Sequence, residues 1–305
     1  MTRSVKSFKN ENLCTLRVRN LSLTRRKARA FHARLCRAYH DGNAVYIKGV
    51  CMYRCVIKLT PKDQTAFGDD AKQTIFHFLF VLHCSGQILK NYHVTENEGY
   101  HLHVTTPKQD SLNEAYDSIY VKRDRNRIDE LFTVTLAHCG IDLESQEYCT
   151  CKSRHAMELE TFRFDVDSVF TCCDCFKPIA LYELPYLEDK EDHNGILLWQ
   201  DNYAAMDMLW LNCLCDRYTG NQRIDPDSAL NKQGRAIAEQ MSHQVGYPIY
   251  YHLACDYGKR VKAVKVGDLQ IHVCPICKTV MKRRIFTEEH TVDLCEACML
   301  SYDAH

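Results

Sequence analysis

The order of apolar and polar positions between residues 49 and 152 predicts six elements. Short runs rich in β-branched and aromatic residues are typical of strands, and a longer apolar run is typical of a buried helix. Strands are predicted at residues 50–59, 87–94, 100–106 and 143–151, and helices at residues 71–83 and 125–138. The order β-α-β-β-α-β is that of a split βαβ unit. The predicted fold class is α+β, with a ferredoxin-like α/β domain at residues 49–152.

The pattern beyond residue 158 is less regular. Strands are predicted at residues 161–170 and 248–254, and helices at residues 196–211 and 226–244. Asp225 is a plausible N-cap for the last helix, Pro226 suits its first position and Gly246 suits its end. This part is predicted to be a mixed α/β region at residues 158–265, followed by a zinc ribbon at residues 266–305.

Composition is that of a globular protein, with 46% hydrophobic and 26% charged residues among 305. No apolar run approaches the length of about 18 residues that a membrane span needs. The first twenty residues lack the apolar region of a secretory signal. The expected location is therefore the cytoplasm, without membrane contact.

Charge is distributed unevenly, although the net charge is zero. Residues 1–50 contain 12 Lys or Arg and only two acidic residues, Glu11 and Asp41. Residues 1–48 are therefore interpreted as a basic N-terminal extension. Such an extension favours polyanions, but it is equally typical of a solvated leader, and both interpretations stay open.

The strongest chemical signal is a pair of CxxC motifs near the C-terminus. Cys274 and Cys277 are followed, after 17 residues, by Cys295 and Cys298. This spacing predicts tetrahedral zinc coordination by four thiolates. Because all four ligands are cysteine, no position remains for a catalytic water, and the zinc ion is expected to be structural.

A second metal site is a further hypothesis. Cys172 and Cys175 also have CxxC spacing. Their missing partners are either Cys149 with Cys151 or Cys213 with Cys215, and only one residue separates the cysteines of each pair. The alternative is a reduced cluster of structural cysteines without metal.

Several segments together resemble a proteobacterial family of unknown function, described as zinc-ribbon-containing proteins with a suggested role in nucleic-acid binding. The resemblance covers roughly residues 50–300. It is carried by residues 106–112 (TPKQDSL), 172–185 (CCDCFKPIALYELP), 198–203 (LWQDNY), 225–235 (DPDSALNKQGR), 246–253 (GYPIYYHL) and the ribbon 274–298. The family implies a zinc ribbon and, as a suggestion, nucleic-acid binding. Lys278 departs from the glycine that is usual in such ribbons.

Basic residues around the ribbon form the candidate nucleic-acid contacts. They are Lys259, Arg260, Lys262, Lys282, Arg283 and Arg284. Lysine and arginine neutralise phosphates, and nearby tyrosines could stack on single-stranded bases. RNA or single-stranded DNA is the expected partner. The alternatives are that these cations balance the negative zinc–thiolate centre, or that the ribbon contacts another protein.

Catalysis is not predicted, since the common nucleotide-binding, metalloprotease and nucleophile motifs are absent. A weaker hypothesis is a hydrolase that uses Asp225, Asp227 and Arg235. Four histidines are a further candidate metal site, although their pattern is explained more simply by a solvated strand face. They are His77, His93, His101 and His103.

Overall fold

A computed structural model describes residues 52–141, 147–161, 168–212, 214–254, 262–287 and 290–304. The basic N-terminal extension, residues 1–48, lies outside the described residues, as do Lys259 and Arg260. All described residues fall within one compact unit, Val50–His305.

The described chain contains two main sheets, one separate hairpin and five α-helices. The strands are β1 (Tyr53–Pro61), β2 (His93–Glu96), β3 (Tyr100–Thr106), β4 (Phe132–Ile141), β5 (Met157–Leu159), β6 (Phe170–Cys172), β7 (Ile249–His252), β8 (Ala263–Val266), β9 (Leu269–His272), β10 (Lys282–Thr287), β11 (His290–Cys295) and β12 (Leu300–Asp303). The helices are α1 (Asp69–Cys84), α2 (Ile119–Leu131), α3 (Asn194–Leu211), α4 (Asp216–Ile224) and α5 (Ala229–Val245). The protein is therefore a mixed α+β structure.

The first sheet has the strand order β2-β3-β1-β4, and every neighbouring pair is antiparallel. Its elements follow one another as β-α-β-β-α-β. Alternate residues of the central strands are buried, such as Ile57 and Leu59 on β1 and Leu102 on β3. They form a hydrophobic core with α1 and α2. The other face of the sheet is exposed or half-exposed.

The second predicted helix was wrong in its bounds. The chain forms α2 at Ile119–Leu131, and Ser118 caps it by accepting the backbone N–H of Val121 at 3.1 Å. From Phe132 the chain is a strand, because Thr133, Val134 and Thr135 lose rotamer freedom in a helix and favour a pleated surface.

Two predicted strands of this part were also misplaced. The prediction at 143–151 fails, because residues 147–151 form no strand; residues 142–146 lie outside the description. The strand predicted at 87–94 begins only at His93. The reason is Gln87, whose buried amide donates to the carbonyl of Ser111 and to Asp117 and so fixes an irregular turn.

The second sheet has the strand order β10-β11-β12-β7-β5-β6. Strand β12 pairs with β7, and β7 pairs with β5, in parallel; the remaining pairs are antiparallel. The pairing of Leu300 with Tyr251 joins the C-terminal ribbon to the middle of the chain. The domain bounds at 49–152, 158–265 and 266–305 stay predictions, although hydrogen-bonded strands lie on both sides of residue 265.

Helices α3 and α5 supply much of the core beside this sheet. Trp199 of α3 is fully buried, and its ring lies 6.0 Å from that of Tyr251 on β7. Gly234 of α5 faces both rings, so closely that an added Cβ would lie 2.3 Å from Tyr251 and 2.9 Å from Trp199. Only glycine therefore allows this helix to approach the aromatic pair.

The start of α5 differs from the predicted one. Its N-cap is Ser228, whose hydroxyl accepts the backbone N–H of Asn231 at 3.1 Å. Asp225 instead ends α4, because its N–H donates to the carbonyl of Asn221 at 3.0 Å. Helix α4 was not predicted from the sequence. The predicted end at Gly246 is confirmed, with a left-handed φ of 78°.

The strand predicted at 161–170 is replaced in the described residues by two short strands, β5 and β6, that lie on either side of the undescribed residues 162–167.

Among the helices that the structure describes, none has the length and apolar character needed to cross a bilayer.

Candidate metal centres

The C-terminal centre consists of the four cysteines predicted from the double CxxC spacing. The sulfurs of Cys274, Cys277, Cys295 and Cys298 all lie within 4.8 Å of one another. The sulfurs of Cys277 and Cys295 are 3.5 Å apart. A zinc–sulfur distance of about 2.3 Å in a tetrahedron requires sulfurs about 3.8 Å apart. The cluster is therefore geometrically able to hold a metal ion.

Two tight turns aim these sulfurs at one point. In the first turn, the N–H of Lys278 donates to the carbonyl of Cys274 at 3.1 Å, and the N–H of Cys274 donates to Thr279 at 2.9 Å. The second turn follows β11 directly, so pairing of β11 with β10 and β12 fixes its position. Cys274 and Cys295 are buried, whereas Cys277 is exposed.

A buried ion network supports the ribbon beside the cysteines. Asp293 of β11 is fully buried. Its carboxylate accepts hydrogen bonds from the backbone N–H and from the ring Nδ1–H of His272, at 2.9 and 2.8 Å. The Arg283 guanidinium donates to the same carboxylate at 2.8 and 3.1 Å. Burial alone raises the pKa of Asp293, but these donors outweigh it and hold the pKa well below its usual range.

The upstream centre joins two segments of the chain. The sulfurs of Cys149, Cys151, Cys172 and Cys175 also lie within 4.8 Å of one another. The structure thus places the first of the two candidate partner pairs beside Cys172 and Cys175. Cys213 lies outside the described residues, and Cys215 is exposed and belongs to neither described cluster.

Hydrogen bonds fix the upstream centre on both sides. The N–H of Cys149 donates to the carbonyl of Pro178 at 2.7 Å, and the N–H of Cys172 donates to Lys177 at 3.0 Å. Burial raises the pKa of Cys149, but hydrogen bonds from Arg154 and the Cys151 N–H outweigh it and hold the pKa below its ordinary value. A guanidinium beside the sulfur stabilises the thiolate form that a metal requires.

Three CxxC turns in the two centres share one backbone conformation. The residue after the second cysteine has a left-handed φ in each: 58° at Phe176, 61° at Lys278 and 51° at Met299. This conformation usually costs a residue with a Cβ free energy. The same conformation therefore follows the second cysteine of all three turns, although none of the three residues is glycine.

A third group, Glu158, Glu160 and His252, gave no local sequence signal because its members are far apart in the chain. Their potential ligand atoms lie within 4.8 Å. His252 Nδ1 lies 3.2 Å from Glu158 Oε1, and Ser301 also donates to this oxygen. Burial lowers the pKa of His252, but the hydrogen bond and charge of Glu158 raise it to about 9. In this structure Glu158 and His252 therefore form a buried ion pair.

The candidate nucleic-acid residues of the ribbon differ in the contacts that they make. Lys282 pairs with Glu296 at 2.7 Å, Arg283 is bound to buried Asp293, and Arg284 lies over the Phe286 ring at 5.6 Å. Lys262, Lys282 and Arg284 are exposed, whereas Arg283 is half-buried. Arg283 thus has a structural role within the ribbon.

The other sequence candidates do not converge. Asp225 accepts the N–H of Asp227 at 3.0 Å, and Arg235 donates to the carbonyl of Pro226 at 3.2 Å. These local contacts at the junction of α4 and α5 give the three side chains a structural role at the helix ends.

Of the four histidines considered, three share the exposed face of the first sheet. They are His93, His101 and His103. His77 lies on α1 instead and contacts Asp124 of α2.

Two regions match protein-family models, and each model is described as a domain of unknown function. Residues 52–138 match DUF8589 and residues 151–254 match DUF2310. An uncharacterized protein of Haemophilus influenzae is 26% identical over 212 residues, 67% of this chain and 77% of that protein. A second is 29% identical over 132 residues, 41% of this chain and 59% of that protein. The likeness supports a bacterial family of unknown function.

Proposed function

We propose that the protein holds two structural zinc ions and acts by binding nucleic acid, without catalysis. The observation that carries the zinc part is the convergence of four sulfurs within 4.8 Å at each of two separate centres. Zinc accepts four thiolates in a closed tetrahedron, and cysteines in that arrangement are typical of structural sites. With every ligand position taken by sulfur, neither centre offers a place for a substrate.

Metal content tests the zinc part directly. Elemental analysis of the purified protein is expected to give two zinc ions per chain, one for each cluster. Cys277→Ser and Cys175→Ser should each remove one ion. Cys139→Ser is the matched control, because Cys139 is exposed and lies in neither described cluster, and it should retain both. Retention of both ions by Cys175→Ser would contradict the upstream site.

Nucleic-acid binding is supported by exposed cations and by the resemblance of the chain to zinc-ribbon proteins with that suggested role. Lys282 and Arg284 of β10 are exposed, although Arg283 is not available. We also infer that residues 53–141 have a ferredoxin-like fold. This inference is supported by the order β-α-β-β-α-β and the antiparallel strand order β2-β3-β1-β4. Four-stranded sheets of this kind can present a flat surface to single-stranded RNA.

A fluorescence titration with a labelled single-stranded oligonucleotide tests this part. Micromolar protein should bind, and the affinity should fall between about 50 mM and about 200 mM salt as phosphate-bound cations are replaced. Absence of salt-sensitive binding would overturn the nucleic-acid role. Recovery of one stable protein partner after nuclease treatment, without oligonucleotide binding, would support an adaptor instead.

A further inference from the structure

We propose that the exposed face of the first sheet, and not the zinc ribbon, is the main surface that binds single-stranded nucleic acid. This inference rests on the nucleic-acid part of the proposed function. The outer sheet face is defined by alternate residues of four strands, which the pairing register places side by side. Its members are Arg54, Val56, Lys58, Thr60, His93, Thr95, His101, His103, Thr105, Thr133, Thr135 and Ala137.

The charge of this face fits a polyanion. Lys58 lies at the centre of the sheet, directly between His101 of β3 and Thr135 of β4. Among the described residues of the face there is no carboxylate. Glu96 of β2 follows the opposite parity of the strand, and it pairs with Lys72 of the helix layer at 3.1 Å. Within the described residues of the outer face, a phosphate backbone would therefore meet cations and hydroxyls and no carboxylate of the face itself.

The face also carries flat rings suited to bases. The rings of His93 and His103 are parallel within 4°, with centroids 4.4 Å apart. Thr95 lies on the same side, with its hydroxyl 3.1 Å from His103 Nε2, which holds this ring in place. Unstacked bases commonly stack on aromatic side chains, histidine included. Partial burial and the neighbouring histidines lower the pKa of His103, which favours its uncharged ring.

Hydroxyl groups surround these rings and Lys58. Five threonines lie on the face, and they can donate hydrogen bonds to phosphate and sugar oxygens. They are Thr60, Thr95, Thr105, Thr133 and Thr135. Among the described residues of the ribbon, two of the cations already have acidic partners, since Lys282 pairs with Glu296 and Arg283 with Asp293. The combination of cations, rings and hydroxyls without carboxylates favours the sheet.

Charge reversal at matched positions tests the proposal in the full-length, zinc-loaded protein. Lys58→Glu changes the outer sheet face, whereas Lys122→Glu makes the same change at an exposed position of α2. Lys58→Glu should weaken binding of a labelled single-stranded oligonucleotide about tenfold and lower the salt slope by about one. Lys122→Glu should change the affinity less than about twofold, because α2 packs on the inner face of the sheet, away from the proposed surface, and salt screens the charge over that distance.

Removal of the rings separates stacking from charge. The double variant His93→Ala/His103→Ala removes the parallel ring pair and should weaken binding at least about fivefold at pH 7.5. The salt slope should change little, because stacking on bases, unlike a phosphate contact, releases no counterions. Circular dichroism and zinc content check that each variant is folded. If a variant fails to fold, ultraviolet cross-linking of the wild-type protein takes its place, and cross-links are expected within residues 93–105.

The outcomes separate this inference from the proposed function. If the wild-type protein binds but Lys58→Glu and Lys122→Glu behave alike, the sheet proposal is overturned and the nucleic-acid role stands. Strong weakening by Lys282→Glu alone, or cross-links confined to residues 262–287, would assign the surface to the ribbon and also overturn it. If the wild-type protein does not bind, both proposals are overturned.

Discussion

The two halves of the described chain reach stability by different means. Three strands of the first sheet, β1, β3 and β4, have 9, 7 and 10 residues, and their inner faces share one core with two helices. In the second sheet, β5 and β6 have three residues each and β7 and β12 have four. Both described four-cysteine centres lie in this second half. Short strands bury little apolar surface, so metal coordination has most to contribute where the strands are shortest.

The cysteines of the second half are also part of its core. Cys149, Cys172, Cys274 and Cys295 lie in one hydrophobic cluster with Trp199 and Tyr251. A bound metal there would hold the sulfurs together and would replace side-chain packing that the short strands cannot supply. With metal bound, the chain would combine an apolar core in its first half with metal-dependent packing in its second, and the two can be tested separately.

Removal of metal should have the largest effect and should separate the halves. Binding free energy at structural zinc sites is about 10 kcal/mol or more at neutral pH, and it becomes folding free energy. A strong chelator should therefore raise amide hydrogen exchange in β5, β7, β11 and β12 while β1 and β3 stay protected. Peptide-resolved exchange by mass spectrometry measures this.

The two halves would not differ in their dependence on metal if the chelator increased amide exchange in β1 and β3 as fast as in β7. Re-addition of zinc should restore protection in the second half. Magnesium, which prefers oxygen ligands, is the matched control and should have no effect.

The second test uses the opposite environments of two histidines. His103, in the first half, has a lowered pKa, whereas Glu158 raises the pKa of His252 to about 9. Because the folded-state pKa of His252 exceeds the unfolded value, its contribution to stability is complete below about pH 6.5 and is lost as the pH rises through about 9. The shift corresponds to at most about 3 kcal/mol.

Urea unfolding of wild type and His252→Gln at both ends of this pH range measures the effect. As the pH rises, the free energy of unfolding should fall more steeply for the wild type than for His252→Gln. Because both proteins retain all cysteines, the difference between their pH profiles isolates the contribution of His252. Parallel pH profiles would show that the Glu158–His252 pair is not charged in the folded protein. Asp303, Glu160 and Ser301 also face this pair and are unchanged in the comparison.

The third test concerns packing in the second half. Gly234→Ala should cost about 2 kcal/mol, since the new methyl group would force the rigid rings of Tyr251 and Trp199 apart. Gly220→Ala is the matched control in α4, where an added Cβ would meet only Trp210 at 3.9 Å. The control should be neutral or more stable by up to about 1 kcal/mol, because alanine favours the helix. Equal effects of the two substitutions on chemical unfolding would show that the aromatic pair can move.

Much of this architecture was predictable, and the failures have physical causes. The order of elements in the first half followed from local periodicity, but the end of α2 did not, because Leu136 continues the helical spacing of Ile128 and Phe132 past the end of the helix. The parallel pairing of β12 with β7 depends on residues about fifty positions apart and leaves no local pattern.

The candidate metal centres were also only partly predictable. The whole C-terminal cluster could be predicted from the sequence, since all four cysteines follow the usual spacing. Only half of the upstream cluster could be predicted, because Cys149 and Cys151 are distant from Cys172 in the sequence and are brought to it by the fold. Cys213 with Cys215 offered the same C-x-C spacing. The ion pair of Glu158 with His252 joins positions 94 residues apart, so only the structure reveals it.

The smallest expected effect lies in a single turn of the C-terminal centre. Lys278 is exposed and has a left-handed φ of 61°, where a residue with a Cβ is strained by about 1 kcal/mol and glycine is not. Lys278→Gly should therefore stabilise the zinc-loaded protein by up to about 1 kcal/mol, less the entropy that glycine adds to the unfolded chain. Ile276→Gly is the matched control, since Ile276 is exposed in the same turn and has no left-handed φ, and it should destabilise. Thermal unfolding of the two zinc-loaded variants measures the difference. If Lys278→Gly were the less stable of the two, the left-handed turn would not be a source of strain, and the metal-dependent half would owe its geometry to the side chains around the turn.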